Sequence, residues 1–338
     1  MKKFIIPILL LVILVIGYVL YVLFSSNTSA FGDKATLYIP TGSSYEQVIQ
    51  KLSEQHILKD LASFESMASR FGYTKQVKPG KYEIRQGMGN FTLVNMLKGG
   101  KQVPVKLVIN KLRTKKDIIR KICSQLEADS NDVEALLRDS NFLAKYQIDS
   151  NQLQCMILPD TYQFFWNTDA KKALEKIGRN YLKFWTSERK AKASKQGMTQ
   201  AEIITLASIV EEETNIQEDK LKIASTYMNR LRIGMPLQAD PTLKFAVNDF
   251  TLRRLLTVHT QVNSPYNTYV NRGLPPGPIC TPSMKTIDAV LDAPKTTYLY
   301  FCAREDFKGY SNFASTYEEH QQNAKRYQAA LNARGIKK

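Results

Sequence analysis

The sequence predicts an α+β protein with an N-terminal transmembrane helix, small α+β modules and a mostly helical C-terminal domain. An unbroken apolar run extends from Phe4 to Phe24. Between residues 35 and 126, short strand-like segments each precede a segment with apolar residues at helical spacing. From Thr199 onward the spacing of apolar residues is mostly that of helices. These three observations determine the fold class that we expect.

The apolar run 4–24 has the length of a membrane span. Its 21 residues are enough for a helix to cross a hydrocarbon core about 30 Å thick. The alternative is a cleaved signal peptide, but the apolar region of such a peptide has only about 7–15 residues and ends at a small-residue cleavage site. No strong site of that kind follows this run. We therefore expect a retained anchor.

Basic residues predict the orientation of that anchor. Lys2 and Lys3 precede the run, and no further basic residue occurs before Lys34. Because membrane proteins keep an excess of basic residues in the cytoplasm, residues 1–3 should form a cytoplasmic tip. We expect a single-pass protein of the bacterial cytoplasmic membrane, with a short tether at 25–34 and the rest of the chain on the periplasmic, extracytoplasmic side.

Composition narrows the range of partners. The chain has 338 residues and a net charge of +16, which favours anionic partners. No nucleic-acid-binding motif accompanies the scattered basic residues, so we expect no nucleic acid partner. The histidines are far apart and no cysteine pair has zinc-site spacing, so we expect no metal and no cofactor. We expect buried thiols at Cys123, Cys155, Cys280 and Cys302.

Three strand–helix pairs organise the first part of the chain after the tether. The predicted strands cover 35–40, 80–86 and 103–110, and a helix follows each of them. These pairs predict a small α+β module, or two, over 35–110. The following residues predict a helical connecting region over 111–198, with one long basic helix at 168–196, and then the C-terminal domain over 199–333.

One predicted helix contains the stretch LASIVEEETN at 206–215. Thr199 and Glu202 can form a capping box at its start. At about 100° per residue, Glu212 points away from the apolar face toward solvent, whereas Glu211 and Glu213 flank that face on opposite sides. A glutamate at such an edge is partly desolvated, which raises its pKa and suits a general acid. The alternative is a solvated helix end.

Several motifs of the C-terminal part occur in the order of one known family. They are ASIVEEET (207–214), MPLQADPT (235–242), SPYNTYVNRGLPPGPICTPS (264–283) and the pattern of Phe313, His320 and Asn323. Together they resemble the endolytic murein transglycosylases of the MltG (YceG-like) type. Region 35–110 resembles the LysM-like module of that family.

The resemblance implies an enzyme, a lytic transglycosylase that cleaves the glycan strands of peptidoglycan internally and close to the membrane. The catalytic domain would be 199–333, with Glu211 as the catalytic residue and Glu213 as a second glutamate of the site. The family's reaction breaks the β-1,4 bond between MurNAc and GlcNAc and leaves a 1,6-anhydro-MurNAc end. One carboxyl group is enough for this chemistry, because the attacking hydroxyl belongs to the sugar itself.

Planar amides, hydroxyls and aromatic rings near these motifs are candidates for sugar binding. In LQADP and YNTY they are Gln238, Asp240, Tyr266, Asn267 and Tyr269. The GLPPGPI segment is a candidate rigid rim, with Gly273, Pro275, Pro276 and Gly277. Structural alternatives remain, since Asp240 can cap a helix, the tyrosines can be packing residues and the loop can be a plain turn.

Two other functions remain open from the sequence. A hydrolytic muramidase would need a second carboxylate to hold water, for which Asp240 or Glu213 are candidates. A non-catalytic scaffold would bind the cell wall through 35–110. The resemblance also implies peptidoglycan and the membrane as partners, together with cell-wall synthases that act in the same membrane.

Overall fold

Residues 2–252 and 255–335 are described by a computed structural model whose helices and small sheets have the predicted α+β character. In this part of the chain the strands form three two-stranded sheets. They pair β1 (Lys34–Ile39) with β2 (Gly80–Arg85), β3 (Val105–Ile109) with β4 (Asp160–Phe164), and β5 (Tyr300–Ala303) with β6 (Ser311–Ala314).

The helices account for most of the remaining regular structure. Those of the first half are α1 (Lys2–Phe24), α2 (Tyr45–Glu54), α3 (Leu61–Arg70), α4 (Asn90–Gly99), α5 (Lys115–Cys123), α6 (Ser130–Arg138) and α7 (Ser140–Ala144). Those of the second half are α8 (Ala170–Phe184), α9 (Ser187–Lys195), α10 (Gln200–Glu213), α11 (Gln217–Arg232), α12 (Asp240–Ala246), α13 (Thr257–Thr260), α14 (Met284–Leu291) and α15 (Tyr317–Ala333).

The three predicted strand–helix pairs are confirmed as β1–α2, β2–α4 and β3–α5. A further helix, α3, lies between α2 and β2 and was not predicted. Asp60 caps this helix by accepting a hydrogen bond from the Ser63 backbone N–H at 3.2 Å. Its buried face contains Phe64, Met67 and Ala68, the i, i+3, i+4 spacing of an amphipathic helix.

The predicted single helix at 168–196 is wrong, because the chain forms α8 and α9 there instead. Thr186 interrupts the helix because its backbone has extended dihedral angles. Its hydroxyl then accepts a hydrogen bond from the Arg189 N–H at 3.3 Å and caps α9. A threonine favours this role over a helix interior.

The chain forms two compact units. The first comprises Met1–Leu107, Cys123–Ala128 and Gln163–Asp169, and the second comprises Val108–Ile122, Asp129–Tyr162 and Ala170–Lys338. The predicted connecting region 111–198 is therefore shared between the two units and does not form a domain of its own.

The first unit is built on the antiparallel pair of β1 and β2, with Lys34 opposite Arg85 and Ile39 opposite Gly80. Alternate residues of both strands point into a core that α2, α3 and α4 cover. The main core residues are Leu37, Ile39, Val48, Leu52, Phe64, Tyr82, Ile84, Leu93 and Leu97.

Helix α1 occupies the predicted anchor. Its apolar side chains from Ile8 to Tyr21 are mostly exposed, with Leu14 at 70%. Within 2–252 and 255–335, however, no helix is long and apolar enough to cross a membrane. The side chains of residues 1–7 and 22, which belong to the predicted tip and span, lie outside the described residues.

The predicted tether 25–34 is not a free linker. Asn27 and Thr28 are 6% and 1% exposed. The Asn27 amide nitrogen donates to the Asp60 carbonyl oxygen and to Asn90 Oδ1, both at 2.7 Å. These residues are therefore fixed against the first unit.

The second unit is arranged around α10. This helix packs against α11, α12, α14 and α9, and its residues Ile203 to Val210 are all buried. Helix α15 packs on the sheet of β5 and β6. Cys155 and Cys280 are buried thiols, as predicted, whereas Cys123 and Cys302 are only half-buried.

Candidate active site

Helix α10 positions three consecutive glutamates in its last turn. The helix begins with the predicted capping box, in which Thr199 accepts from the Glu202 N–H and Glu202 Oε2 accepts from the Thr199 N–H. It ends at Glu213, and Thr214 is extended. Each glutamate of the triplet has different surroundings.

The Glu211 carboxylate is held through one of its two oxygens. Lys220 Nζ on α11 lies 2.8 Å from Oε2, and Ser283 Oγ lies 3.2 Å from it. Thr286 Oγ1 also donates to Oε2. The Glu211 and Lys220 side chains are 16% and 8% exposed, so this ion pair is largely buried.

These contacts distinguish the two carboxyl oxygens. Lys220 Nζ also donates to Thr286 Oγ1 at 2.7 Å, which leaves the Thr286 hydroxyl hydrogen for Glu211 Oε2. Oε2 is therefore surrounded by donors and serves as an acceptor. In the described part of the chain Oε1 makes no such contact, so it is the carboxyl oxygen that remains available to a ligand.

Lys220, Ser283 and Thr286 were not predicted as part of the site. The sequence did contain a signal for Lys220, because it lies at i, i+3, i+4, i+7 spacing from Ile223, Ala224 and Tyr227, which are buried. A lysine on the buried face of a helix needs a charged partner.

The prediction that Glu212 faces solvent is wrong. Its side chain is 17% exposed and forms ion pairs at 3.0 Å with both Lys111 and Arg113. Burial opposes ionisation, but the hydrogen bonds from Arg113 and Lys111 prevail and lower the pKa of Glu212. The helical wheel assumed one apolar face, whereas α10 is covered on all sides.

Glu213 occupies a pocket of different character. The Tyr227 hydroxyl donates to its Oε1 at 2.6 Å. Burial raises the pKa of Glu213 to about 7, and the charge of Asp240 acts in the same direction against the Tyr227 hydrogen bond. The structure therefore separates Glu211 and Glu213 onto different sides of the helix end, as the wheel predicted.

Three predicted binding residues lie in the part of the second unit near Glu213. The Tyr269 hydroxyl donates to Asp240 Oδ1. Asp240 is the first residue of α12 and makes no capping bond, which excludes the capping alternative. Gln238 is exposed and has a φ of 49°, in the left-handed region, and its backbone N–H donates to the Thr268 carbonyl oxygen at 3.0 Å.

Asn267 and Tyr266 have structural roles instead. Asn267 is 0% exposed, and its amide nitrogen donates to the carbonyl oxygens of Thr260 and Val262. Its Oδ1 accepts from the Tyr269 N–H, so the buried side chain holds the surrounding loop together. The Tyr266 ring packs against Phe245 with centroids 4.6 Å apart. Complete burial makes Asn267 inaccessible to a sugar, whereas substrate binding by the half-buried Tyr266 stays a prediction.

The GLPPGPI segment packs closely against the loop that contains Asn151. Gly277 lies so near to Asn151 that an added Cβ would be 2.0 Å from the Asn151 carbonyl oxygen. Pro275 is buried and Pro276 is half-buried. Gly273, with a φ of 86°, and Pro275 line a cavity of about 530 Å³ that also includes Glu202 near the start of α10. We call this the α10 cavity.

Known proteins resemble most of this chain. The sequence is 29% identical to an endolytic murein transglycosylase of Bacillus subtilis, over 87% of this chain and 85% of that protein. It is 28% identical to one of Streptococcus pneumoniae, over 85% of this chain but 57% of that protein. The crystal structure of a YceG-like protein from Listeria monocytogenes superposes with a TM-score of 0.58 at 29% identity, covering 86% of this chain and 99% of that one. The YceG-like family matches residues 37–326, and the chain belongs to this family.

Proposed function

We propose that this protein is a lytic transglycosylase that cleaves the glycan strands of peptidoglycan internally, with Glu211 as its acid and base. The observation that supports this most is the Glu211 carboxylate, whose Oε2 is held by Lys220, Ser283 and Thr286 while Oε1 stays available. The relatives named endolytic murein transglycosylases support the choice of substrate.

In the first half of the reaction, Glu211 acts as an acid. The reaction starts from the protonated form of Glu211, in which Oε1 carries the proton and Oε2 still accepts from Lys220, Ser283 and Thr286. That proton passes to the glycosidic oxygen between MurNAc and GlcNAc, and the bond from that oxygen to the MurNAc anomeric carbon breaks. The Lys220 ammonium lies 2.8 Å from Oε2, where it stabilises the negative charge that the carboxyl group acquires.

In the second half, Glu211 acts as a base. The C6 hydroxyl of the same MurNAc attacks the anomeric carbon, and its proton returns to Glu211. The products are a 1,6-anhydro end and a free hydroxyl on the released GlcNAc, and no water is consumed. Because the nucleophile is tethered to the reacting sugar, no second carboxylate is needed to position it.

The surroundings of Glu213 are suited to hold a neighbouring sugar. Glu213, with a pKa of about 7, and the Asp240–Tyr269 pair offer donors and acceptors, and the nearby Gln238 is exposed. We propose that these groups bind sugar hydroxyls and the N-acetyl amide rather than take part in proton transfer.

We further propose that the enzyme works at the outer face of the cytoplasmic membrane. The support is the exposed apolar surface of α1 together with Lys2 and Lys3, which precede the apolar run 4–24 in the sequence. Region 35–110 would be the LysM-like module, an interpretation supported by the small antiparallel sheet of β1 and β2 and the helices that cover it. Nascent strands made there, and the synthases that make them, are the proposed substrate and partners.

A single substitution tests the assignment of Glu211. Purified full-length Glu211→Gln, incubated with isolated sacculi, should release anhydro-ended muropeptides at least about 100-fold more slowly than wild type, because the amide cannot donate and recover a proton. Product masses and rates are read by mass spectrometry. Glu218→Gln, an exposed glutamate in the first turn of α11, is the matched control and should keep the wild-type rate.

The product identity separates the other functions. Reducing ends in place of anhydro ends would contradict the transglycosylase and support a hydrolytic muramidase. An unchanged rate of anhydro product with Glu211→Gln would contradict the role of Glu211. No cleavage by wild type, together with retained binding to sacculi, would support a scaffold.

A further inference from the structure

We infer that the α10 cavity binds the peptide attached to the glycan strand and so gives the enzyme a preference for peptide-bearing substrate. This inference rests on the proposed function. The cavity has a volume of about 530 Å³ and lies wholly within the second unit. None of its polar side chains takes part in holding Glu211.

The cavity is connected to the candidate catalytic end of α10 by one continuous segment. Residues 273–275 line the cavity beside Glu202. Farther along, the Ile279 N–H donates to Ser208 Oγ at 3.0 Å, and Ser283 reaches Glu211. The segment therefore runs beside α10 from Glu202 to Glu211, nine residues or about 14 Å along the axis and about half a turn around it. The peptide that enters the cavity is therefore one on a sugar farther along the strand than the sugar at Glu211.

Arg232 gives the cavity a site for a carboxylate. One terminal nitrogen, Nη1, donates to Asn229 Oδ1 at 2.9 Å. Among the described residues, the other guanidinium nitrogens have no hydrogen-bond acceptor. A guanidinium with free donors binds a carboxylate through two parallel hydrogen bonds.

The other polar side chains suit a peptide backbone. Gln152 and Gln196 each have a planar amide at the cavity, with one weak contact apiece, at 3.4 Å and 3.5 Å. Glu202 uses Oε2 to cap α10, which leaves Oε1 as an acceptor for an amide N–H or an amino group.

The apolar part of the cavity lining suits short apolar groups, because its side chains include methionines. Its side chains are those of Met198, Met228, Leu231, Leu274 and Pro275. Methionine side chains adapt to irregular shapes, and they suit short apolar side chains such as the methyl group of alanine.

These features favour a short peptide over other ligands. A polyanion would meet the Glu202 carboxylate, and a bare sugar would leave the Arg232 guanidinium without a charged partner. A peptide with small apolar side chains, amide groups and a free carboxylate satisfies all three parts of the lining. Peptidoglycan strands bear peptides of this chemical class.

The first test compares two substrates. Uncrosslinked glycan strands with their peptides, and the same strands stripped by an amidase, are given to the full-length protein, and anhydro ends are counted. Wild type should cleave the peptide-bearing strands about 10-fold faster than the stripped strands. This factor corresponds to the lower end of the free-energy range for a hydrogen bond to a charged group. Arg232→Gln should reduce this ratio to about 1 through loss of that bond, with the rate on stripped strands unchanged.

Arg179→Gln is the matched control, since Arg179 is an exposed arginine of α8 outside the cavity, and it should keep the wild-type ratio. Equal rates on both strands by wild type, or an unchanged ratio in Arg232→Gln, would overturn the inference while leaving the proposed reaction intact.

A second test does not depend on cleavage. Titration calorimetry with a synthetic stem peptide should give saturable binding to the full-length protein, and Arg232→Gln should weaken it about 10-fold. Absence of saturable binding to wild type would overturn the inference. If the peptide binds but no strand is cleaved, the proposed reaction fails and the peptide site stands.

Discussion

At the scale of single residues, Lys220 is the partner on which the candidate catalytic carboxylate depends most. It is the one cation among the described residues within hydrogen-bond distance of Glu211, and both side chains are largely buried. Removing one member of a buried ion pair leaves the other charge without compensation, which typically costs about 3–5 kcal/mol.

We therefore expect Lys220→Met to lower both activity and stability. Methionine has a similar length but cannot donate to Glu211 Oε2 or to Thr286 Oγ1. The rate of anhydro-product formation should fall at least about 10-fold through lost charge stabilisation. The urea midpoint of the purified protein should fall as well. Lys190→Met, at an exposed position of α9, is the control. Wild-type activity in Lys220→Met would contradict this role.

Glu213 should make the stability of the protein depend on pH. Its pKa rises from the usual 4.5 to about 7 on folding, mainly through burial. Between these two values the folded state binds more protons than the unfolded state. The contribution of Glu213 therefore favours folding at pH 5 and is lost as the pH rises through about 7.

Glu213→Gln removes this dependence. We compare the free energy of unfolding of the variant with that of wild type at each pH. The difference, variant minus wild type, should be about 1–3 kcal/mol larger at pH 8 than at pH 5. Urea unfolding of both proteins at pH 5 and pH 8 measures this difference, and Glu218→Gln should show none. An equal stability difference at both pH values would contradict the assigned pKa shift.

The sequence predicted a position for Glu211 but not the groups that hold it. Periodicity places Glu211 at the edge of the apolar face of α10 and the family resemblance implies its role, whereas Ser283 and Thr286 approach it from the start of α14, more than seventy residues later in the chain. Periodicity places a residue on a face and does not show what covers that face. The same limit explains the wrong prediction for Glu212, which Lys111 and Arg113 cover.

At the scale of elements, the segment 273–283 packs between α10, which it contacts through Ile279 and Ser283, and the loop that contains Asn151. Within this segment, Gly277 lies against the loop at Asn151, because an added Cβ would be 2.0 Å from the Asn151 carbonyl oxygen and 2.7 Å from its carbon. Both are backbone atoms, so no side-chain rotation can relieve the contact.

Gly277→Ala should consequently destabilise the protein by about 1–3 kcal/mol, as overpacking of a closed site does. Because the segment leads to Ser283, activity should fall along with the thermal midpoint. Gly99→Ala, in α4, is the control, since its Cβ would be 3.6 Å from the Lys101 side chain and alanine favours a helix. A stable and fully active Gly277→Ala would contradict the close approach.

Elements with a strong local pattern were predictable. The alternation in β1, β2 and β3 and the capping box of α10 are local signals, and they are confirmed. The division between α8 and α9 was missed because the basic, amphipathic pattern continues across it. There, Thr186 caps the second helix in place of continuing the first.

At the scale of the whole molecule, the proposed membrane anchor has a direct test. The full chain should remain in the membrane pellet after carbonate extraction. Leu11→Arg combined with Leu14→Arg should release it, since each arginine near the middle of a span costs about 2.5–3.5 kcal/mol. Leu182→Arg, at a 48% exposed position of α8, is the control and should stay in the pellet. Release of the wild-type chain by carbonate would contradict an anchor.

The division into units was the least predictable property of the molecule. Residues 123–128 and 163–169 return to the first unit after the chain has entered the second. Trp166 takes part in this return, with its ring 5.0 Å from that of Tyr38. Such pairings between distant segments leave no periodic signal, so a linear division at residue 110 was the simplest expectation.

The burial of Asn27 and Thr28 also bears on how the first unit is presented. Their hydrogen bonds to Asp60, Gly87 and Asn90 fix the residues after α1 against the starts of α3 and α4, so no flexible linker lies between them. If α1 crosses the bilayer, the tilt of this helix also sets the orientation of the rest of the first unit, which cannot rotate freely about the residues that follow α1. One side of that unit would then face the lipid headgroups permanently, and the height of its sheet above them would be a constant of the protein.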